Sequence, residues 1–185
     1  MADHVEKGTE VSAEHEVHGV TPDMIDWWWV NMEKGYPLWC PEEHKSFEWE
    51  VPPKPGDHVG AIQIAGESIG GGPVTKIRIR WQDPSECPVP VDYDHLLAGA
   101  AIDRDNIPIG YVIHQYRATE YGTLLRSTFY SVMSLPEDFG ERFLKHNKDE
   151  IGNFPKFLPQ LYQMWQAVKD PEINRQCSLR PLDPG

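Results

Sequence analysis

The sequence is short of positive charge, of cysteine and of long apolar runs. Seventeen Lys and Arg stand against 29 Asp and Glu, a formal net charge of -12 over 185 residues. Nucleic-acid phosphates and anionic membranes would be repelled by most of such a surface. Cys40, Cys87 and Cys177 form an odd, widely spaced trio, which argues against a disulfide framework and for a reducing compartment, taken as the cytoplasm. No stretch approaches the ~18 consecutive apolar residues of a membrane-spanning helix. The opening MADHVEKGTEVSAEHEVHG is polar and acidic without an apolar h-region, so neither a secretory signal nor an anchor is expected there. Internal repeats are lacking, and so is a phosphate-cradling glycine loop: GGGP at 70–73 ends in proline ahead of a strand and reads as a hairpin turn.

What is present fits one domain, long enough to bury a real core. Residues 1–18 read as a disordered acidic arm, 19–170 as the domain and 171–185 as a C-terminal tail. His15 and His18 fall in the arm, where they read as a fortuitous pair. Thr21-Pro22 starts a helix, threonine as N-cap and proline at the first helical position, with Asp23 and Asp26 at the positive end of the dipole. Trp27, Trp28 and Trp29 cannot share one helical face, so this helix is either buried on several sides or offers an aromatic surface; Gly35 is its expected end. The proline-punctuated stretch that follows reads as loop or edge strand. Residues 58–69, 74–82, 109–118 and 123–133 read as strands joined by short turns, hence antiparallel neighbours. Ile77, Ile79 and Trp81 alternate with Lys76, Arg78 and Arg80, the pattern of a sheet with one wet face. A final helix runs from near Pro136 towards Trp165, with kinks expected at Pro155 and Pro159. The fold class is α+β, the helix lying against a concave sheet.

Chemistry first shows in FLKHNKDEIGNF. His146 and Glu150 are one helical turn apart and reach a common point. Alone they read as an ordinary solvated pair, because a catalytic zinc needs about three protein ligands or more. His44 sits among aromatics in WCPEEHKSFEW, where a buried ring nitrogen needs a partner. His58 reads as a surface residue and His95 as a surface or capping group. His114 shares a strand face with Val112 and Tyr116 and points inward, a core histidine unless it faces a metal-bearing helix. Glu67 lies on a strand otherwise short of charge, and a carboxylate turned into a core is costly unless paired or metal-bound. His44, Glu67, His146 and Glu150 make a candidate two-nitrogen, two-carboxylate shell suited to zinc.

The run GVTPDMIDWWWVNMEKGYPLWCPEEHKSFEW, then AGESIGG, the His114 strand and HNKDE, in that order, resembles the diacetylphloroglucinol hydrolase family, which includes phloretin hydrolase, over residues 19–165. The resemblance implies a helix-grip fold like that of the birch pollen allergen and START domains, a curved antiparallel sheet around a long C-terminal helix. It implies one zinc per chain and the retro-Claisen hydrolysis of a carbon–carbon bond between an acyl group and a phenolic ring or β-diketone, with water activated on zinc. Such chemistry belongs to secondary, polyketide-type metabolism. By motif, His44, Glu67, His146 and Glu150 match the zinc ligands, His114 a pocket histidine and Tyr36 a tyrosine that orients the phenolic substrate. Trp28, Trp39 and Phe129 are the expected aromatic walls. Cys40 stands where relatives often have histidine, and Phe47 where a substrate-binding asparagine is expected. The second orienting tyrosine matches either Phe129 or Tyr130. About twenty residues precede the Trp-helix, so the larger relative's dimerisation domain has no counterpart; a homodimer is left open. Two other readings stay open: a non-hydrolytic, cyclase-like enzyme on a polyketide-type intermediate, and a metal-free carrier of small apolar ligands.

Overall fold

The computed structural model describes residues 9–132 and 135–180. Strands β1 (Thr9–His18), β2 (His44–Val51), β3 (Ile62–Glu67), β4 (Thr75–Trp81), β5 (His95–Ile102), β6 (Pro108–Thr119) and β7 (Gly122–Ser131) form one sheet in the order β1-β7-β6-β5-β4-β3-β2. Every neighbouring pair is antiparallel. Helices α1 (Pro22–Val30) and α2 (Tyr36–Trp39) lie between β1 and β2 in the chain, and α3 (Phe139–Trp165) follows β7. Residues 58–69 and 109–118 contribute β3 and β6, and Gly70 and Gly71, both at positive φ, make the turn between β3 and β4.

The sheet is curved, and α3 turns its buried face to it. That face carries Phe143, His146, Asn147, Glu150, Ile151, Phe154 and Leu158, spaced by three or four residues. α3 runs through Pro155 and Pro159 as one helix, where the kinks were expected. Each proline removes a backbone donor, and burial of Ile151, Phe154 and Leu158 offsets the loss. Thr21 caps α1 as expected, its side chain accepting from the Met24 N–H. The helix ends at Val30, one turn earlier than Gly35, with a short 3₁₀ turn at Met32–Lys34 between. The three tryptophans are all buried: Trp27 lies edge-on to Tyr162, Trp28 to Phe157, and Trp29 stacks on His114.

Four expectations are corrected. Residues 9–18 form the edge strand β1 rather than a disordered arm; residues 1–8 lie outside the described residues. Val11, Ala13, His15 and Val17 alternate with exposed Glu10, Ser12, Glu14 and Glu16, and the strand pairs with β7 along its whole length. The outer face carries the polarity, while the inner residues supply the burial. His95 is buried, its Nδ1 2.9 Å from Asp26 Oδ1, and Tyr116 Oη donates to the same carboxylate at 2.5 Å. His58 is buried too, its Nδ1 3.8 Å from Cys177 Sγ. The first part of the expected tail packs back on the domain: Leu179 N–H donates to Asp26 and Asn174 accepts from Trp27 Nε1 at 2.6 Å.

Candidate metal centre and cavity

His44 opens β2 and pairs across the ladder with Glu67, the last residue of β3. A tight turn after α2, closed by the His44 N–H on the Cys40 carbonyl at 2.7 Å, precedes it. The ring stacks on Tyr36 with centroids 4.3 Å apart. α3 delivers His146 and Glu150 to the same place. His44 Nε2 is 3.6 Å from Glu150 Oε2 and 4.0 Å from Glu67 Oε1. His146 Nε2 is 3.5 Å from Glu150 Oε2 and 4.0 Å from Glu67 Oε2. Four donors on a tetrahedron with bonds of ~2.0–2.2 Å stand about 3.3–3.6 Å apart, so these separations lie within a few tenths of an ångström of that shape.

The ring orientations agree. His44 Nδ1 faces the Tyr36 carbonyl at 3.4 Å and His146 Nδ1 bonds the Glu43 carboxylate, so each ring turns Nε2 towards Glu67 and Glu150. Among the described residues, His44 Nε2 is buried without a hydrogen-bond partner. A buried ring nitrogen between two carboxylates and unmatched by a donor is suited to a cation. The residues therefore fit a divalent metal. Cys40 was not among the expected ligands; it is buried, and its Sγ lies within 4.8 Å of a nitrogen of each histidine.

The electrostatics reinforce this. Burial, helped by a cationic His146, pushes His44 down to about 3, so it is a neutral lone-pair donor at neutral pH. Burial opposes a charge on His146 as well, but Glu150, Cys40, Glu67 and Glu43 outweigh it and raise the ring to about 10. Burial, with Glu67 and Glu43 adding to it against the His146 charge, raises Glu150 to about 7. The cluster thus holds protons as its cations, and these a metal would displace.

The centre forms one wall of a cavity of about 290 Å³ between the sheet and the helices. Ile77, Ile79 and Trp81, the inner face of β4, line it as their alternation implies, and so do Tyr36, Trp39, His114, Phe129, Glu67, His146 and Glu150. Trp28, Phe47 and Tyr130 are not on its lining: Trp28 packs against Trp39, Phe154 and Phe157, Phe47 lies between Tyr36 and Trp49, and Tyr130 faces Tyr111. Burial and Glu67 hold the Tyr36 hydroxyl well above the usual tyrosine range, and it donates to the Glu67 carboxylate. His114 Nδ1 lies 2.7 Å from Ser127 Oγ, and burial lowers its ring to about 3.

Glu43 and Asn147 carry no mark in the sequence, and His15, read there as half of a fortuitous pair, is corrected to a partner of Asn147. Asn147 is fully buried and donates to Glu150 Oε1 at 3.0 Å, while His15 Nε2, 2.6 Å away, donates to its Oδ1. For His15 the signal was the alternation of β1. For Glu43 and Asn147 there was no signal beyond closeness to His44 and His146.

A family model described as "DAPG hydrolase PhiG domain" matches residues 3–141. The chain belongs to this family. The match takes in Tyr36, His44, Glu67 and His114 and ends just before His146 and Glu150, which the geometry adds. No curated protein matches the chain. Among solved structures, the KanY protein (ms6282) aligns with a TM-score of 0.59 at 7% identity, covering 82% of this chain and 98% of that one. Ara h 8.0201 aligns at 0.54 and 9%, over 83% and 99% of the two chains. Protein Ms6760 from Mycobacterium smegmatis aligns at 0.51 and 14%, over 83% and 91%. At such identities the likeness speaks for the fold alone, which is the helix-grip fold. This is a hydrolase family, and among the described residues no helix is long and apolar enough to cross a membrane.

Proposed function

We propose that this DAPG hydrolase family member is a zinc-dependent hydrolase that cleaves the carbon–carbon bond between an acyl group and a phenolic ring or β-diketone. The observation that carries it is the unpartnered, buried His44 Nε2 set beside Glu67, Glu150 and His146 on the wall of an apolar cavity. His44, Glu67, His146 and Glu150 would hold the zinc, with Cys40 close by. Zinc supplies a Lewis acid that lowers the pKa of water towards ~7 and polarises a ketone oxygen.

The remaining work falls to the chain. The net reaction adds hydroxyl to the acyl carbon and a proton to the ring carbon that leaves, so an acid and a free carboxylic acid product are required. A ring carbon departs readily only when electron-donating hydroxyls let the ring be protonated at that carbon and react as its keto tautomer, whose carbonyl takes up the electron pair. The apolar walls, Trp39 and Phe129 among them, exclude water from a flat ring. Tyr36 stays protonated and spends its own hydrogen on Glu67, so its oxygen accepts a hydrogen bond from a substrate hydroxyl. His114 lines the cavity and burial keeps it neutral, which suits it to hold a substrate oxygen and relay a proton towards the ring carbon as the bond breaks, not to store one.

The test is a screen of acylated phenols and β-diketones in ¹⁸O-labelled water with product masses measured. The proposal expects a carboxylic acid carrying one labelled oxygen. Unlabelled, isomerised product points to cyclase-like chemistry, and stoichiometric binding without turnover by metal-free protein points to a carrier.

A further inference from the structure

Glu43 is the carboxylate of the cluster that does not line the cavity, and it touches all three segments that bear the four ligands. Its Oε2 accepts from His146 Nδ1 on α3. Its Oε1 accepts the Gly70 N–H at 2.8 Å, and its backbone carbonyl accepts the Ser68 N–H at 2.9 Å. Ser68 directly follows Glu67. Glu43 itself directly precedes His44, and its N–H closes on the Cys40 carbonyl at 3.0 Å. Only 8% of Glu43 is exposed, so these bonds are shielded from competing water.

We infer that Glu43 is the positioning residue of the metal centre: it holds the Nδ1–H of His146, which turns Nε2 to the metal, and it ties the turn after Glu67 to α3. The chemistry is that of a carboxylate behind a metal-ligating histidine, which orients the ring and raises its basicity. The second role follows from Gly70. That residue sits at φ 67° in the turn after β3, and in this turn conformation its N–H bonds Glu43. Glu43 therefore holds the Glu67 side of the centre at a fixed distance from the His146 side. Asn147, backed by His15, does the corresponding work for Glu150.

This rests on the metal reading, and the experiment separates the two. Zinc dissociation constants would be measured by competition with a chromophoric chelator for wild type, Glu43→Gln, Glu43→Asp and Glu42→Gln. The His146 Nδ1–H would be followed by ¹H–¹⁵N NMR in zinc-loaded protein, where its exchange with solvent reads the hydrogen bond to Glu43. Glu43→Gln keeps an oxygen for Gly70 but loses the charge, and is expected to weaken zinc by about 10- to 100-fold, with the His146 Nδ1–H exchanging faster with solvent. Glu43→Asp should bind zinc more tightly than Glu43→Gln, and Glu42→Gln, at the exposed neighbour, should match wild type. Wild type that binds zinc alongside a Glu43→Gln of equal affinity and unchanged Nδ1–H exchange overturns this inference alone. An equal loss in Glu42→Gln also overturns it, because bulk charge would then be the cause. Wild type that binds no zinc removes the metal reading, and this inference with it.

Discussion

Zinc affinity should fall about 1,000-fold between pH 8 and pH 6, and the size of that fall is set by two residues. The metal-free cluster stores a proton on His146, raised to about 10, and another on Glu150, raised to about 7. Both must leave before the metal can bind. Over these two pH units His146 stays protonated in the metal-free form, so its release alone changes the apparent dissociation constant by about 100-fold. Glu150 passes from mostly ionised to mostly protonated over the same range and adds about tenfold. His44 contributes nothing, because burial keeps it neutral down to about pH 3. The sign is fixed by the direction of the shifts: groups whose pKa is raised compete with the metal as pH falls. A site with ordinary values, two histidines near ~6.5 and carboxylates near ~4.3, would lose only about 20-fold. Competition with a chelator of known pH-corrected affinity measures the slope directly. A loss of about 20-fold or less would refute the argument, since the carboxylates would then not be raising His146.

Three further outcomes follow from the same geometry. His114→Ala should keep its zinc and lose about 100- to 10,000-fold in turnover, read by elemental analysis beside steady-state rates; loss of zinc instead would make His114 a ligand. Tyr36→Phe removes the donor to Glu67 and the acceptor for a substrate hydroxyl, so kcat/KM should fall with zinc retained, and unchanged kinetics would count against the orienting role. Phe154→Ala removes a fully buried ring that stacks on Trp39 at 5.6 Å and meets Trp28 and Trp29 edge-on, a loss of about 3–5 kcal/mol in chemical denaturation.

What the sequence disclosed and what it hid divide along a physical line. The alternation of Ile77, Ile79 and Trp81 with Lys76, Arg78 and Arg80 was legible because a strand with one wet face writes its period into side-chain polarity. Thr21 and Pro22 were legible because capping chemistry is local. β5 was missed, since HLLAGAAI is buried on both faces and has neither alternation nor a high β-branched content. β1 was missed for the opposite reason, its outward glutamates masking inner residues that only β7 and α3 bury. At the centre, the i,i+4 spacing of His146 and Glu150 was visible, whereas their meeting with His44 and Glu67 depends on where α3 docks. Asp26, His95 and Tyr116 form a buried network from three separate segments, and no local pattern marks it.

The central claim is that His44, Glu67, His146 and Glu150 hold a zinc ion that the reaction needs. Elemental analysis of the purified chain after exhaustive dialysis, compared with His146→Ala prepared in parallel, tests it most directly. The account predicts about one zinc per chain in wild type and much less in the variant, since removing one of the two nitrogens leaves a three-donor shell that holds the metal more weakly through dialysis. Wild-type protein that carries no zinc and turns over acylated phenols at full rate after chelation would contradict it.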